Sequence, residues 1–296
     1  MGWVTTGDTD EFLAAAGGLL RSRAAQNTII LTIVDTICRQ RAAGRGDATT
    51  QFGWWAAPDG TVRGTFLHTP PHPLVVAAVT AWALPDLAGM LAGAGRPISG
   101  VNATPGVAET FAEAWRQRTG AAWNVAVRMR LYRLDRLADL DPAPPGRARV
   151  AGPGDRDLLV AWMEAFAREA PGMQRNVAQV VEDRLGYGGL TLWECDGEPV
   201  AMAGVTRAVA GMVRVAPVYT PPDQRRRGYG GAVTAAVSRA ALHAGVRDVV
   251  LFTDLANPTA NALYQRIGFR PLEDRAMLSF TPMPVRVDES ARAAAP

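Results

Sequence analysis

The chain has 296 residues, 48% of them hydrophobic, with eight tryptophans, so it is long and apolar enough for two domains, each with its own core. Its net charge is only +3, with every positive charge an arginine, and no basic face interleaved with aromatics accompanies it, so nothing points to a nucleic acid as partner. No apolar run reaches membrane-spanning length, and two cysteines, Cys38 and Cys195, make no disulfide framework, so a cytoplasmic, reducing location with no membrane partner is expected.

Asp8, Asp10 and Glu11 near the N-terminus do not suit a secretion signal. The absence of lysine beside abundant Ala, Gly and Arg suits a GC-rich, bacterial genome. Apolar periodicity predicts helices near Asp10–Arg23 and Thr28–Arg41, then strands near Gln51–Ala57, Thr61–His68 and Val75–Thr80. Trp54 and Trp55 read as core residues, with the lining of a cleft as the alternative. His68 and His72 flank two prolines, which prevent a helical ligand pair, so no metal site is expected. Helices follow around Pro85–Ala92 and Val107–Arg118, separated by Ile98–Asn102, and a strand spans about Trp123–Leu134.

The Pro-rich segment Leu140–Gly146 is the best domain boundary. It gives an N-terminal domain at 1–140, a linker at 141–146, a second domain at 147–283 and a frayed tail at 284–296. The second domain starts with a short strand near Arg147–Ala151 and a helix bearing Leu158, Leu159, Trp162 and Phe166. A helix at Val177–Leu185 and a hairpin follow, the hairpin pairing Leu190–Cys195 with Val200–Arg207 about Asp196-Gly197.

The most informative run comes next, Val218-Tyr-Thr-Pro-Pro-Asp-Gln-Arg-Arg-Arg-Gly-Tyr-Gly230. It leaves a β-branched strand, Met212–Thr220, and enters a helix whose apolar face is clear from Ala232. Pro221 and Pro222 end the strand ladder. A helix N-terminus favours an anion through its free amides and its dipole. Gly228, Gly230 and Gly231 allow close backbone approach, and Arg225, Arg226 and Arg227 add charge. A solvated basic turn is the plainer alternative.

A second block agrees. Val249–Asp254 reads as a buried strand, Asn257 as an N-cap with Pro258 in the first helical position, and Gly268 as the helix end. A last strand is expected near Arg275–Phe280.

Strand, then Arg225-x-x-Gly228-x-Gly230, then helix resembles the acyl-CoA-binding signature of the GNAT superfamily of N-acyltransferases. Asn257, Ala260, Tyr264, Gly268 and Phe269 resemble that family's second conserved block. The resemblance is specific over residues 212–270 and topological before residue 140. It implies an α/β fold with a mixed, partly splayed sheet, present twice in tandem. The N-terminal copy is degenerate, because no Arg- and Gly-rich turn follows Val75–Thr80.

The resemblance further implies an acetyl-CoA-dependent N-acetyltransferase acting by direct transfer to a primary amine, on a small molecule, as a monomer or homodimer. Val218, Tyr219 and Thr220 would pair with the pantetheine arm. Arg225, Arg226, Arg227, Gly228, Tyr229, Gly230 and Gly231 would hold the phosphates, with Asn257 and Asn261 near the pantetheine. Tyr264 would be the general acid. Asp254, Glu194 or solvent would serve as base. The alternatives are a non-catalytic CoA-binding sensor, a protein N-terminal acetyltransferase, or a transferase of the same fold with a tRNA donor.

Overall fold

A computed structural model describes residues 1–46, 48–170 and 176–281. The expected tail at 284–296 lies outside the described residues. The first half of the chain runs β1 (Gly2–Thr6), α1 (Thr9–Ser22), α2 (Thr28–Ala42), β2 (Gln51–Ala56), β3 (Val62–His68), β4 (Leu74–Ala77), α3 (Leu84–Gly93), β5 (Gly100–Ala103), α4 (Pro105–Thr119) and β6 (Ala122–Leu134). The second half runs β7 (Arg147–Val150), α5 (Arg156–Glu169), α6 (Val177–Leu185), β8 (Leu190–Cys195), β9 (Glu198–Val205), β10 (Met212–Tyr219), α7 (Tyr229–His243), β11 (Asp248–Asp254), α8 (Pro258–Arg266) and β12 (Phe269–Thr281).

These two lists have the same order: strand, two helices, three strands, helix, strand, helix, strand. The chain is a structural repeat of one mixed α/β fold. Two short strands escaped the sequence reading. β1 has five residues, and β5, inside the interval read only as a separation between helices, has four. Neither GWVTT nor GVNA shows the apolar–polar alternation that marks a strand. The helix expected from Ala232 starts at Tyr229, so Gly230 and Gly231 lie inside its first turn.

The compact units do not coincide with the two halves of the sequence. Unit 1 comprises Met1–Phe12, Ala48–Val127 and the chain from Ala276, while unit 2 comprises Leu13–Asp47 and Arg128–Arg275. The reason lies in the closing strands. β6, the last strand of the first repeat, pairs antiparallel with β11 through Met129–Arg133. β12, the last strand of the second repeat, pairs antiparallel with β5 through Ala276–Ser279. Each repeat closes its sheet with the other's final strand. The Pro-rich segment expected as a linker belongs to unit 2. The Trp193 indole donates to the Pro145 carbonyl at 2.9 Å, and a Cβ on Gly146 would strike the backbone of Glu194.

Unit 1 packs α3 and α4 against its sheet through Phe66, Leu74, Leu87, Phe111 and Trp115, joined by Ala276 and Leu278 of β12. Trp55 is buried there, in keeping with its reading as core.

Unit 2 buries both faces of its sheet. On one face α7 and α8 cover Val213, Val215, Val249 and Leu251, with Ile267 and Phe269 below. On the other, α5 and α6 cover Leu190, Leu192 and Met202. Each fully buried leucine there stabilises the fold by about 1.5–3 kcal/mol relative to exposure.

Candidate functional site

The site is built where β10 changes its pairing. Against β9, Val215 opposes Val205 and Val218 opposes Ala203, so β10 carries one extra residue, a bulge at Ala216–Pro217. The extra residue switches the faces. Val213 and Val215 pack under α7, whereas Tyr219 packs with Leu159 and Met163 of α5. Against β11, β10 pairs in parallel only from Met212 to Val215. β11 continues beside β6 as far as Asp254. From Ala216 onward, therefore, the edge of β10 facing β11 has no strand beside it. Backbone donors and acceptors at such an edge need a partner.

That open edge leads directly into the turn. Pro222–Gln224 form one turn of 3₁₀ helix, and Arg226 and Gly228 are left-handed, with φ of 65° and 86°. Gly228 is the residue before α7, and its carbonyl accepts from the Ala232 amide at 3.0 Å. The amides of Tyr229, Gly230 and Gly231 precede that bond and belong to the first helical turn, where intrahelical acceptors are lacking and the dipole is positive. A Cβ on Gly230 would lie 3.3 Å from Thr220 Oγ1 and 4.0 Å from Val218 Cγ1, so the helix start abuts the end of β10. A Cβ on Gly231 would come within 2.8 Å of Leu263 of α8. The strand end, the first turn of α7 and α8 thus converge with only glycine between them.

The three arginines differ in their roles. Arg225 is held inside the protein's own network: its Nε donates to the Thr220 carbonyl at 2.9 Å, and its Nη2 reaches both oxygens of Glu169 at 2.6 and 2.8 Å. It braces the turn against α5. Arg226 and Arg227 are exposed beside the helix start. Tyr229 packs its ring in the α7 core, while hydrogen bonding to Cys195 raises its phenol and Arg227 of the turn also acts on it.

The second block folds around α8. Asn257 Oδ1 accepts from the Ala260 amide at 3.0 Å as an N-cap. Asn261 Nδ2 donates to the carbonyls of Asp254 and Asn257 at 2.8 and 2.7 Å, and its Oδ1 accepts from the Tyr132 hydroxyl at 2.9 Å. Asn257 thus caps α8, and Asn261 fixes α8 to the end of β11 and to Tyr132 of β6. Tyr264 is buried in the same cluster as Val215 and Val218, edge-on to Phe269 with ring centroids 6.1 Å apart. Burial pushes its phenol up to about 12.

The two carboxylates are placed differently. Asp254 is exposed at the end of β11, accepting from the Ala256 amide at 2.8 Å. Glu194 is mostly buried and paired with Arg149 Nε at 2.5 Å and Arg147 Nε at 3.8 Å. It is tied into the hairpin edge, two strands away from β10.

The sequence reading passed over Arg184 and Gly204, which meet at the bulge, and Arg214 and Arg207, which lie on β10 before it and just past β9. Arg184 of α6 donates to the carbonyl of Ala216, the bulge residue itself. The readable signal was Arg214, a charge in the middle of the apolar run Met212–Tyr219.

Residues 157–269 match the family model described as Acetyltransferase (GNAT) family. No curated protein sequence matches the chain. Among solved structures, the chain is similar to a Drosophila protein (15% identity, TM-score 0.63, covering 93% of this chain and 96% of that one). It is also similar to a GCN5-related N-acetyltransferase from Sphaerobacter thermophilus (17% identity, TM-score 0.60, 93% and 94%). An acetyltransferase from the GNAT family from Colwellia psychrerythraea is 12% identical, with a TM-score of 0.57, over 95% of this chain and 99% of that one. At these identities the structures establish the fold, and they do so over both repeats. The family match covers residues 157–269, and the fold likeness extends over both repeats of a chain that carries the same mixed α/β fold twice.

Proposed function

We propose that unit 2 binds acetyl-CoA and transfers its acetyl group directly to a primary amine of a small molecule. The observation that carries this reading is the continuity of the unpaired edge of β10 with the glycine-lined start of α7. An extended, amide-bearing arm fits the first as a missing strand, and a pyrophosphate fits the second. The residues present suit the group. Val218, Tyr219 and Thr220 offer backbone, the amides of Gly228–Gly231 offer donors, and Arg226 and Arg227 offer charge. Arg225 acts through the turn it braces.

Acetyl-CoA supplies an activated thioester. The amine lone pair forms the C–N bond, the C–S bond breaks with its electron pair going to sulfur, the ammonium loses a proton and sulfur gains one. A phenol near 12 does not surrender its proton outright to a thiolate whose conjugate acid titrates near ~8.5. Tyr264 therefore serves by donating a hydrogen bond to the departing sulfur while staying protonated at neutral pH. Asp254, exposed at the strand end, is the better base of the two carboxylates, because Glu194 would first have to leave Arg149. Substrate alignment on rigid elements supplies much of the rate. The first repeat, whose β4 is followed by Ala78–Ala83 with neither glycine nor arginine, serves as structural support.

Calorimetric titration with acetyl-CoA tests the reading against Gly230→Asp, which places a carboxylate at the helix start without demanding an unusual φ. Micromolar binding by the wild type, lost in the variant at unchanged Tm, is expected. Equal binding by both proteins would move the cofactor elsewhere.

A further inference from the structure

On the α6 side of the bulge, unit 2 gathers more guanidinium charge than it neutralises. Arg184 reaches the Ala216 carbonyl from α6. It can do so because residue 204 is glycine, where a Cβ would collide with the Arg184 guanidinium and lie 2.7 Å from the Ala216 oxygen. Arg214, on β10 two residues before the bulge, points away from the face that Val213 and Val215 present to α7, and the charge of Arg184 reaches it. Arg207, just past β9, lies 3.9 Å over the Tyr187 ring and donates from Nη2 to Asp183 at 3.3 Å, while its Nε is buried with no hydrogen-bond partner.

Two carboxylates lie close to this group. Asp183 is engaged by Arg207, and Asp35 of α2 by Arg39 at 2.9 Å. Among the described residues no carboxylate pairs with Arg184 or Arg214. Burial lowers both; for Arg214, brought to about 10, the charge of Arg184 adds to the effect, and for Arg184 the charges of Tyr187 and Asp183 oppose it in part.

A packed guanidinium without a paired carboxylate is costly, and this fold keeps Arg184 and Arg214 so, within electrostatic reach of each other. Guanidinium groups match carboxylate and phosphate oxygens in geometry as well as charge. The position is equally specific: Arg184 adjoins Ala216, and Arg214 lies two residues before it, where β10 parts from β11 and where the proposed thioester must be met by its acceptor. We propose that Arg184, Arg207 and Arg214 recognise the acceptor, and that the acceptor is an amine carrying an anionic oxygen group, a carboxylate or a phosphate, close to its nucleophilic nitrogen. This assignment rests on the acetyl-transfer reading above and narrows its substrate class.

Matched acceptors test it. Initial rates with acetyl-CoA are measured for β-alanine against β-alaninamide, O-phosphoethanolamine against ethanolamine, and 1,3-diaminopropane. The anionic member of at least one pair is expected to exceed its neutral partner at least about tenfold in kcat/KM, mostly through KM. Arg214→Met should bring that ratio close to one, and Arg214→Lys should restore part of it. Removing an unpaired charge should also raise the Tm of Arg214→Met. Preference for the neutral or dicationic amine, or an anionic preference that survives in Arg214→Met, overturns the proposal. So does a lowered Tm with unchanged selectivity, which would make Arg214 structural.

Inorganic phosphate titrated into protein saturated with coenzyme A gives a readout apart from turnover. Binding by the wild type that Arg214→Met and Arg207→Met abolish is expected, and equal binding by all three overturns the site. If acetyl-CoA itself does not bind, the acetyl-transfer reading fails separately. The same phosphate comparison without coenzyme A then decides whether the anion site exists.

Discussion

Tyr264 joins two properties that single substitutions can separate. Its ring packs against Phe269 in the α7–α8 core, and its hydroxyl is a donor that remains protonated across the physiological range. Tyr264→Phe keeps the packing and removes the donor. Stability should change by less than about 1 kcal/mol, while kcat falls on the order of 10²-fold or more with acetyl-CoA affinity unchanged. Steady-state kinetics beside a thermal melt checks both halves, and an unchanged kcat would leave the tyrosine a packing residue. His68 offers a residue-scale test in unit 1. It is buried with neither ring nitrogen hydrogen-bonded, and burial lowers it to about 4, with Arg96 adding to the effect. The unfolded chain takes up a proton near pH 6.5 that the folded chain refuses until about 4. Its contribution to stability is therefore complete above pH 6.5 and is lost as pH falls towards 4. Tm measured across that window should fall less in His68→Leu than in the wild type.

At the scale of elements, glycine decides which segments can meet. Gly268 has φ of 104°, and a Cβ there would run into the backbone of Arg136, which crosses the end of α8. Two hydrogen bonds fasten this crossing, Asp135 N to the Gly268 carbonyl and Ala138 N to the Ile267 carbonyl, both at 3.1 Å. Gly268→Ala combines conformational strain with a backbone collision and should destabilise unit 2 by about 3 kcal/mol or more, measured by urea unfolding. The turn before α7 behaves differently. The Arg225–Glu169 pair is about half exposed, with side-chain exposures of 41% and 47%, so Glu169→Gln should change stability by less than about 1 kcal/mol. It nonetheless frees Arg225 from its brace, so acetyl-CoA affinity is expected to shift more than Tm. Calorimetry beside a melt separates the two effects.

For the whole molecule, the exchange of closing strands sets what can fold alone. A fragment ending at residue 140 lacks β12, leaving the β5 edge and the unit 1 core without Ala276 and Leu278. A fragment starting at residue 147 lacks β6, the partner of β11, and the Tyr132 hydroxyl that anchors Asn261. Expressed separately, the two fragments should be insoluble or poorly folded. Co-expressed, they should assemble and recover acetyl-CoA binding. An autonomous, acetyl-CoA-binding 147–296 fragment would show that β6 is dispensable. Among the described residues no helix is long and apolar enough to cross a membrane.

Local chemistry in the sequence determined a good deal. The Arg- and Gly-rich turn, the Asn257 cap, the Asp196-Gly197 hairpin and most helices are written in residues within a few positions of each other, where capping, glycine freedom and apolar periodicity act directly. The two α/β copies could be read for the same reason. Tertiary structure alone decided which strand closes which sheet, because β-pairing partners are set by long-range register that leaves no local mark. It also decided that Arg225 braces the turn rather than standing free, and that Glu194 is bound to Arg149. Above all, it brought Arg184 from a helix to the carbonyl of the bulge residue Ala216, within electrostatic reach of Arg214 on the strand. Charges are recognised as a site only once the chain has placed them together without enough carboxylates to match.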